Sequence, residues 1–119
     1  MIPRSPSREK KKRTRTVNLI DRYINEHYRE KIRLSDLSKA LYLCPKQISR
    51  VLRKEYGCTL PDLINQRRLD LACTMLRESD ADVGQIAQRV GYEYENYFYT
   101  LFRKAFGMTP GEYREKKDE

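Results

Sequence analysis

Apolar positions along this chain recur at helical spacing. From Val17 onward, Leu19, Ile20, Tyr23 and Ile24 fall at i, i+1, i+4 and i+5, which is one face of a first helix. Leu34, Leu37 and Leu41 place a short second helix over about 34–41. Tyr42-Leu43-Cys44 interrupts the pattern. Pro45 then opens a third helix in its first turn, where a missing N–H costs nothing. Ile48, Val51 and Leu52 point inward from that helix, and Gly57 stops it. Thr59 caps a long helix to about Glu78, with Leu60, Leu63, Ile64, Leu71, Met75 and Leu76 as its expected inner face. Asp82 with Gln85 three residues on forms a capping box for another short helix, stopped at Gly91. A helix over about Tyr94–Phe106 follows, then Gly107. Thr109-Pro110-Gly111-Glu112 combines a cap, a first-turn proline and a capping-box acid, so a last short helix begins there. No segment alternates with period two. The pattern predicts an all-α fold of about seven helices.

The chain also repeats itself. Val51-Leu52-Arg53-Lys54-Glu55-Tyr56-Gly57-Cys58-Thr59 lies on Leu101-Phe102-Arg103-Lys104-Ala105-Phe106-Gly107-Met108-Thr109 at an offset of 50 residues. Upstream, Leu34, Leu37 and Leu41 match Val83, Ile86 and Val90 at an offset of 49. The offset changes by one between the short and long helices, so the second turn carries one extra residue. Each copy reads helix, short turn, helix. Ser38 is the small residue needed where the first pair approaches closely. Gly91 suits a turn at positive φ. Tyr42 stands at the corresponding place in the first copy, so that turn must accommodate a side chain. One such pair is easily imitated by a plain helical bundle. Two copies joined by one long helix are not, and a bundle has no reason to set Lys46, Arg50, Arg53 and Lys54 outward at helical spacing. The expected organisation is a basic segment over 1–15, a first helix-turn-helix unit over 16–58, a linker helix over 59–79 and a second unit over 80–119.

Charge points to a polyanionic partner. Lys and Arg number 25 against 17 acids, a net of +8 with a pI near 9.5. The excess is uneven. Residues 1–15 hold seven basic side chains and only Glu9 as an acid, a net of +6, leaving +2 for the rest. This Pro- and Ser-containing segment reads either as a solvated connector or as a basic arm that adds phosphate affinity. Net charge therefore does not establish that the folded part binds nucleic acid; helix placement of the charges must.

Other chemistries find little support. The length of 119 residues leaves little interior for a buried catalytic site. Three widely spaced cysteines, Cys44, Cys58 and Cys73, with His27 as the single histidine, make neither a disulfide framework nor a zinc site. No Ser/His/Asp set or glycine-rich phosphate loop occurs, so no catalysis, cofactor or metal is expected. No run of about 18 apolar residues exists for a membrane span, and the basic N-terminal stretch lacks a signal peptide's apolar segment. The expected location is the cytoplasm, on the nucleoid when DNA is bound.

The motifs resemble the DNA-binding domain of the AraC/XylS family of bacterial transcription regulators. The resemblance covers about residues 17–115. It rests on Ile86-Ala87-Gln88-Arg89-Val90-Gly91-Tyr92, Tyr97-Phe98, Phe102-Arg103-Lys104, Phe106-Gly107-Met108-Thr109-Pro110 and Tyr113-Arg114. Arg68-Leu69, Ala72 and Met75-Leu76 resemble the family's linker helix. The resemblance implies two recognition helices entering successive major-groove faces, with double-stranded DNA as the partner and transcription regulation as the function. Same-face groove segments lie about 34 Å apart, and a linker of about 18 residues spans roughly 27 Å. With the width of the flanking helices added, a monomer could occupy both. The family usually joins this module to a sensor or receiver domain, through which a full-length protein dimerises, although some members stand alone. Some members carry a metal-dependent DNA-repair unit, whose cysteine cluster has no counterpart here. The competing class is a helical protein-interaction module, for example an adaptor for RNA polymerase.

On the first recognition helix, Lys46, Ser49, Arg50 and Arg53 stand at i, i+3, i+4 and i+7 on one face. The resemblance puts Lys46, Ser49 and Arg50 where family members contact bases. Arg50 can pair bidentately with guanine, and Ser49 can bond to either edge. Arg53 and Lys54 are expected on phosphate, as are Arg103 and Lys104 in the second copy. The second recognition helix offers Glu95, Asn96, Tyr99 and Thr100 as base contacts. Asn96 suits adenine and Glu95 suits cytosine N4. Thr100 stands where the family often has arginine. Tyr97 is expected to pack on Phe98 and the core while Tyr99 faces outward. The second unit is therefore expected to supply less direct base readout than the first. Removing residues 1–15 should weaken binding to every duplex and flatten its salt dependence, with sequence preference unchanged. Titrations of the full and shortened chains at several salt concentrations check this; equal affinity and slope would make the segment a connector only.

Overall fold

The structure is a computed structural model and describes residues 15–116; the basic segment before Arg15 lies outside them. The described residues form seven helices and no strand: α1 (Arg15–His27), α2 (Leu34–Leu41), α3 (Pro45–Tyr56), α4 (Leu60–Glu78), α5 (Val83–Val90), α6 (Glu95–Phe106) and α7 (Pro110–Lys116). The chain divides into two units. One holds α1 as far as His27 together with Ile32–Leu60, and the other holds Tyr28–Lys31 together with the chain from Pro61 onward.

In the first unit α1 packs on α2 and α3, and α2 packs on α3. Val17, Ile20 and Ile24 line one side of α1 at spacings of three and four, and are buried with Leu37, Ile48 and Leu52. Full burial of an aliphatic side chain is worth about 1.5–3 kcal/mol, so this small set carries much of the unit's stability. Leu19, Tyr23, Leu41, Leu43 and Val51 are only half-buried, at the core's edge. A polar tie closes the unit: the Tyr56 hydroxyl donates to Asp21 Oδ1 at 2.7 Å.

The second unit is more aromatic. Leu69, Ala72, Cys73 and Leu76 of α4 are buried with Ile86, Ala87, Val90, Tyr92, Phe98 and Phe102. Phe98 and Phe102 meet edge to face at 5.7 Å, and Phe102 lies 4.6 Å from Phe106 and 5.6 Å from Tyr113 between ring centroids. Burial pushes the Cys73 thiol above its usual range. The three cysteines form no disulfide.

The two copies match element for element. α2 and α5 are both 8 residues, and α3 and α6 are both 12. Both turns close in the same way: the Leu43 N–H donates to Ser38 O at 3.2 Å, and the Tyr92 N–H donates to Ala87 O at 2.9 Å. The residue at the bend is left-handed in both, Tyr42 at φ 57° and Gly91 at φ 116°. Ser38 also donates its hydroxyl to Leu43 O, a tie for which the buried Ala87 has no group. The sequence-level capping boxes are present at Asp82/Gln85 and Thr109/Glu112, with N–H to side-chain bonds of 2.8–3.2 Å.

The inner face expected for α4 needs correcting. Leu60, Leu63, Ile64 and Leu76 are buried, but Leu71 and Met75 are only partly so, and Leu69, Ala72 and Cys73 take the core positions. At 100° per residue, Leu60, Leu63 and Ile64 centre on one face, and Leu69, Ala72, Cys73 and Leu76 centre about 180° away. A single stripe fitted along the helix therefore fails, because the buried face reverses midway.

Two arginines hold the second unit's irregular backbone. Arg68 Nε donates to Tyr28 O at 2.7 Å and Nη2 to Glu30 O at 2.9 Å, while the guanidinium lies 5.0 Å from the Tyr92 ring centre. Arg114 donates to Leu76 O, Ser79 O and Ala81 O at 2.7–3.1 Å, satisfying carbonyls at and just beyond the end of α4. Neither role is visible in helical spacing, because the accepting carbonyls lie more than thirty residues away in sequence.

A Cβ on Gly91 would stand 2.7 Å from Arg29 O and 2.8 Å from Arg68 Nε, whereas one on Gly57 would meet nothing within 4 Å. Gly57→Ala should therefore cost only the positive-φ penalty, about 1 kcal/mol. Gly91→Ala should cost clearly more, since backbone at Arg29 must also move; chemical denaturation of both variants checks the order. Tyr92 gives a pH prediction. Burial pushes its phenol up to about 12, against the pull of the Arg68 guanidinium, and its hydroxyl donates to Asn65 Oδ1 at 2.7 Å. The folded state thus holds the neutral phenol beyond pH 10, where the unfolded chain ionises. This contribution is complete below about pH 10 and is lost as pH rises toward 12. The stability of the protein relative to its Tyr92→Phe variant should fall across that window and stay flat below it.

Candidate nucleic-acid interface

α3 is built to present one face. Ile48 and Leu52 anchor it in the first core, which turns Lys46, Ser49, Arg50, Arg53 and Lys54 out to solvent. These five side chains and Pro45 line one shallow groove, with Leu34 of α2 at its edge. The structure thus brings together every residue proposed from the sequence on this helix. Electrostatics favours an anion here. The helix carries four basic residues and one acid, Glu55, which lies near the C-terminal end, and no acid offsets the positive end of the dipole in its first turn.

α6 differs on each count. Phe98 and Phe102 anchor it, leaving Glu95, Asn96, Thr100, Arg103 and Lys104 exposed. Tyr97 and Tyr99 depart from expectation. Tyr99 is half-buried, packs on the second core and sets its ring against Phe98 at 6.3 Å. Tyr97 is 52 % exposed, and touches the core through the edge of Tyr92 at 5.9 Å. The reason is the angle of the anchor: Phe98 and Phe102 fix a face onto which position 99 leans, while position 97 lies at its rim. The Thr100 hydroxyl is already donated to Asn96 O at 3.1 Å.

Glu95 joins a different neighbourhood. Its Oε1 stands only 2.9 Å from where a Cβ on Gly84 would be, so the carboxylate lies over the first turn of α5. With Asp82, Glu93, Gln85 and Gln88 it lines an acidic groove. The positive end of α5 favours a carboxylate there. The α6 candidates are therefore not gathered as those of α3 are. Sequence spacing within α6 could not show this, because it carries no record of how α5 packs against that helix.

A helix-turn-helix domain family profile matches residues 37–116 of this chain. The chain belongs to the AraC/XylS-type DNA-binding domains of transcription regulators. It is 38% identical over 93 residues to the uncharacterized HTH-type transcriptional regulator YisR of Bacillus subtilis, covering 78% of this chain and 32% of that protein. It is 34% identical over 110 residues to the bifunctional transcriptional activator/DNA repair enzyme AdaA of Bacillus subtilis, covering 92% of this chain and 52% of that protein. Among solved structures, it superposes on the C-terminal domain of AraT, a response regulator from Geobacillus stearothermophilus, with a TM-score of 0.81 and 30% identity, covering 87% of this chain and 86% of that one. This AraC-type chain spans from a third to a half of the length of the curated relatives it matches. Among the described residues no helix is long and apolar enough to cross a membrane, and no cluster of metal-ligating side chains occurs.

Proposed function

We propose that this AraC-type domain reads duplex DNA mainly through α3. Lys46, Ser49 and Arg50 contact base edges in the major groove, and Arg53 and Lys54 hold phosphates. The observation that carries this reading is the single exposed groove lined by all five side chains on a helix without a first-turn acid. α6 is the weaker reader. Asn96 is its base contact, Arg103 and Lys104 hold phosphate, and Tyr99 contributes through packing. Glu95 tempers affinity with its charge. α4 is 19 residues long, about 28 Å of helix. That length supports one chain offering both readers to one duplex as a monomer. The domain works as a binding module rather than an enzyme.

Arg50→Ala should cost about 1–3 kcal/mol on the selected site and relax preference at one or two base pairs. Lys54→Ala should weaken selected and random duplexes alike. Mobility shifts on matched selected and random duplexes over a salt series check both. Unchanged selectivity in Arg50→Ala would refute α3 as the main reader. A wild-type protein that binds no duplex at any salt would instead make this a protein-interaction module.

A further inference from the structure

Four helices of the described chain end on a left-handed residue, and three of those residues are glycine: Gly57, Gly91 and Gly107. The fourth is Tyr42, the only described residue other than glycine with positive φ. Its side chain is 93 % exposed. Two unfavourable features coincide at one position. A left-handed backbone crowds the Cβ against the following carbonyl, and the aromatic ring is left in water. A ring this exposed has no packing role that could offset either one. Glycine would serve the turn better, as it does at the equivalent Gly91.

The turn holds the backbone at Tyr42 in a defined place. Leu43 is tied to Ser38 by both its N–H and its carbonyl, and only Leu43 and Cys44 separate Tyr42 from the first residue of α3. Tyr42 therefore sits at the entry end of the helix that carries Lys46, Ser49 and Arg50, with its ring free to solvent.

We propose that Tyr42 is a DNA-backbone contact, its ring lying along a deoxyribose and its hydroxyl donating to a phosphate oxygen at the edge of the groove that α3 enters. Tyrosine hydroxyls are suited to phosphate, and contacts of this kind fix register without reading sequence. The inference rests on the assignment of α3 as a DNA reader. It explains why a residue unfavourable to the fold occupies the bend: its return comes only in the complex.

The test uses the whole chain with Tyr42→Gly and Tyr42→Phe, on selected and random duplexes. Tyr42→Gly should melt at a higher temperature than the wild type, because backbone strain is relieved. It should nonetheless bind both duplexes about two- to tenfold more weakly, the range of one lost hydrogen bond, with sequence preference unchanged. Tyr42→Phe should keep the wild-type melting temperature and lose part of the affinity. Equal or tighter binding by Tyr42→Gly overturns the proposal. So does a lower melting temperature, which would mean the ring packs within the fold, and so does a loss confined to the selected site, which would mean a base contact. If Arg50→Ala relaxes selectivity while Tyr42→Gly binds as the wild type does, this proposal falls alone. If the wild type binds no duplex, both assignments fall.

Discussion

The second unit depends on one guanidinium. Arg68 ties the carbonyls of Tyr28 and Glu30 to α4 and sets its guanidinium over the Tyr92 ring. A guanidinium has several donors, so one side chain can serve two carbonyls and still lie over an aromatic ring. Much follows from this. The space beside the α5 turn is filled by Arg68 and the Arg29 carbonyl, so a Cβ at position 91 would force them to move. The phenol of Tyr92 is buried beneath the guanidinium and must find an internal acceptor, which Asn65 supplies. Tyr92 in turn supports Phe98, and Phe98 sets the rotation of α6. The exposed face of α6 is thus traced back, contact by contact, to an arginine that is not on it.

Comparison of the two copies shows how one backbone pattern acquires two characters. The turns share their closing hydrogen bond and their left-handed residue, but three residues lead from Gly91 into α6 where two lead from Tyr42 into α3. What also differs is what surrounds each helix. α3 rests on two aliphatic anchors and has no acid in its own first turn. α6 rests on an aromatic cluster that draws Tyr99 inward, and its first residue, Glu95, turns to the positive end of α5. The contrast in charge and crowding gives α3 the face more favourable to a polyanion, which is the basis for proposing it as the main reader.

Helix number, class and repeat were legible in the sequence, and so was the basic face of α3. They are local properties. Capping boxes act within four residues, apolar spacing within one helix sets which side is buried, and the glycines at 57, 91 and 107 mark ends that need positive φ. Lys46, Ser49, Arg50 and Arg53 share a face by helix geometry alone, so their clustering could be read before any packing was known.

Tertiary structure decided the rest. The buried face of α4 reverses midway, so a helix-long stripe misplaced Leu71 and Met75 and overlooked Leu69 and Cys73. Tyr97 and Tyr99 exchanged their expected positions because the anchoring aromatics, and not the helix's own pattern, set the rotation of α6. Glu95 found its neighbours on another helix. Arg68 and Arg114 acquired their roles from carbonyls more than thirty residues away in sequence. Periodicity within a helix reports which side is apolar; it carries no record of what lies across the contact, and that is where these residues received their function.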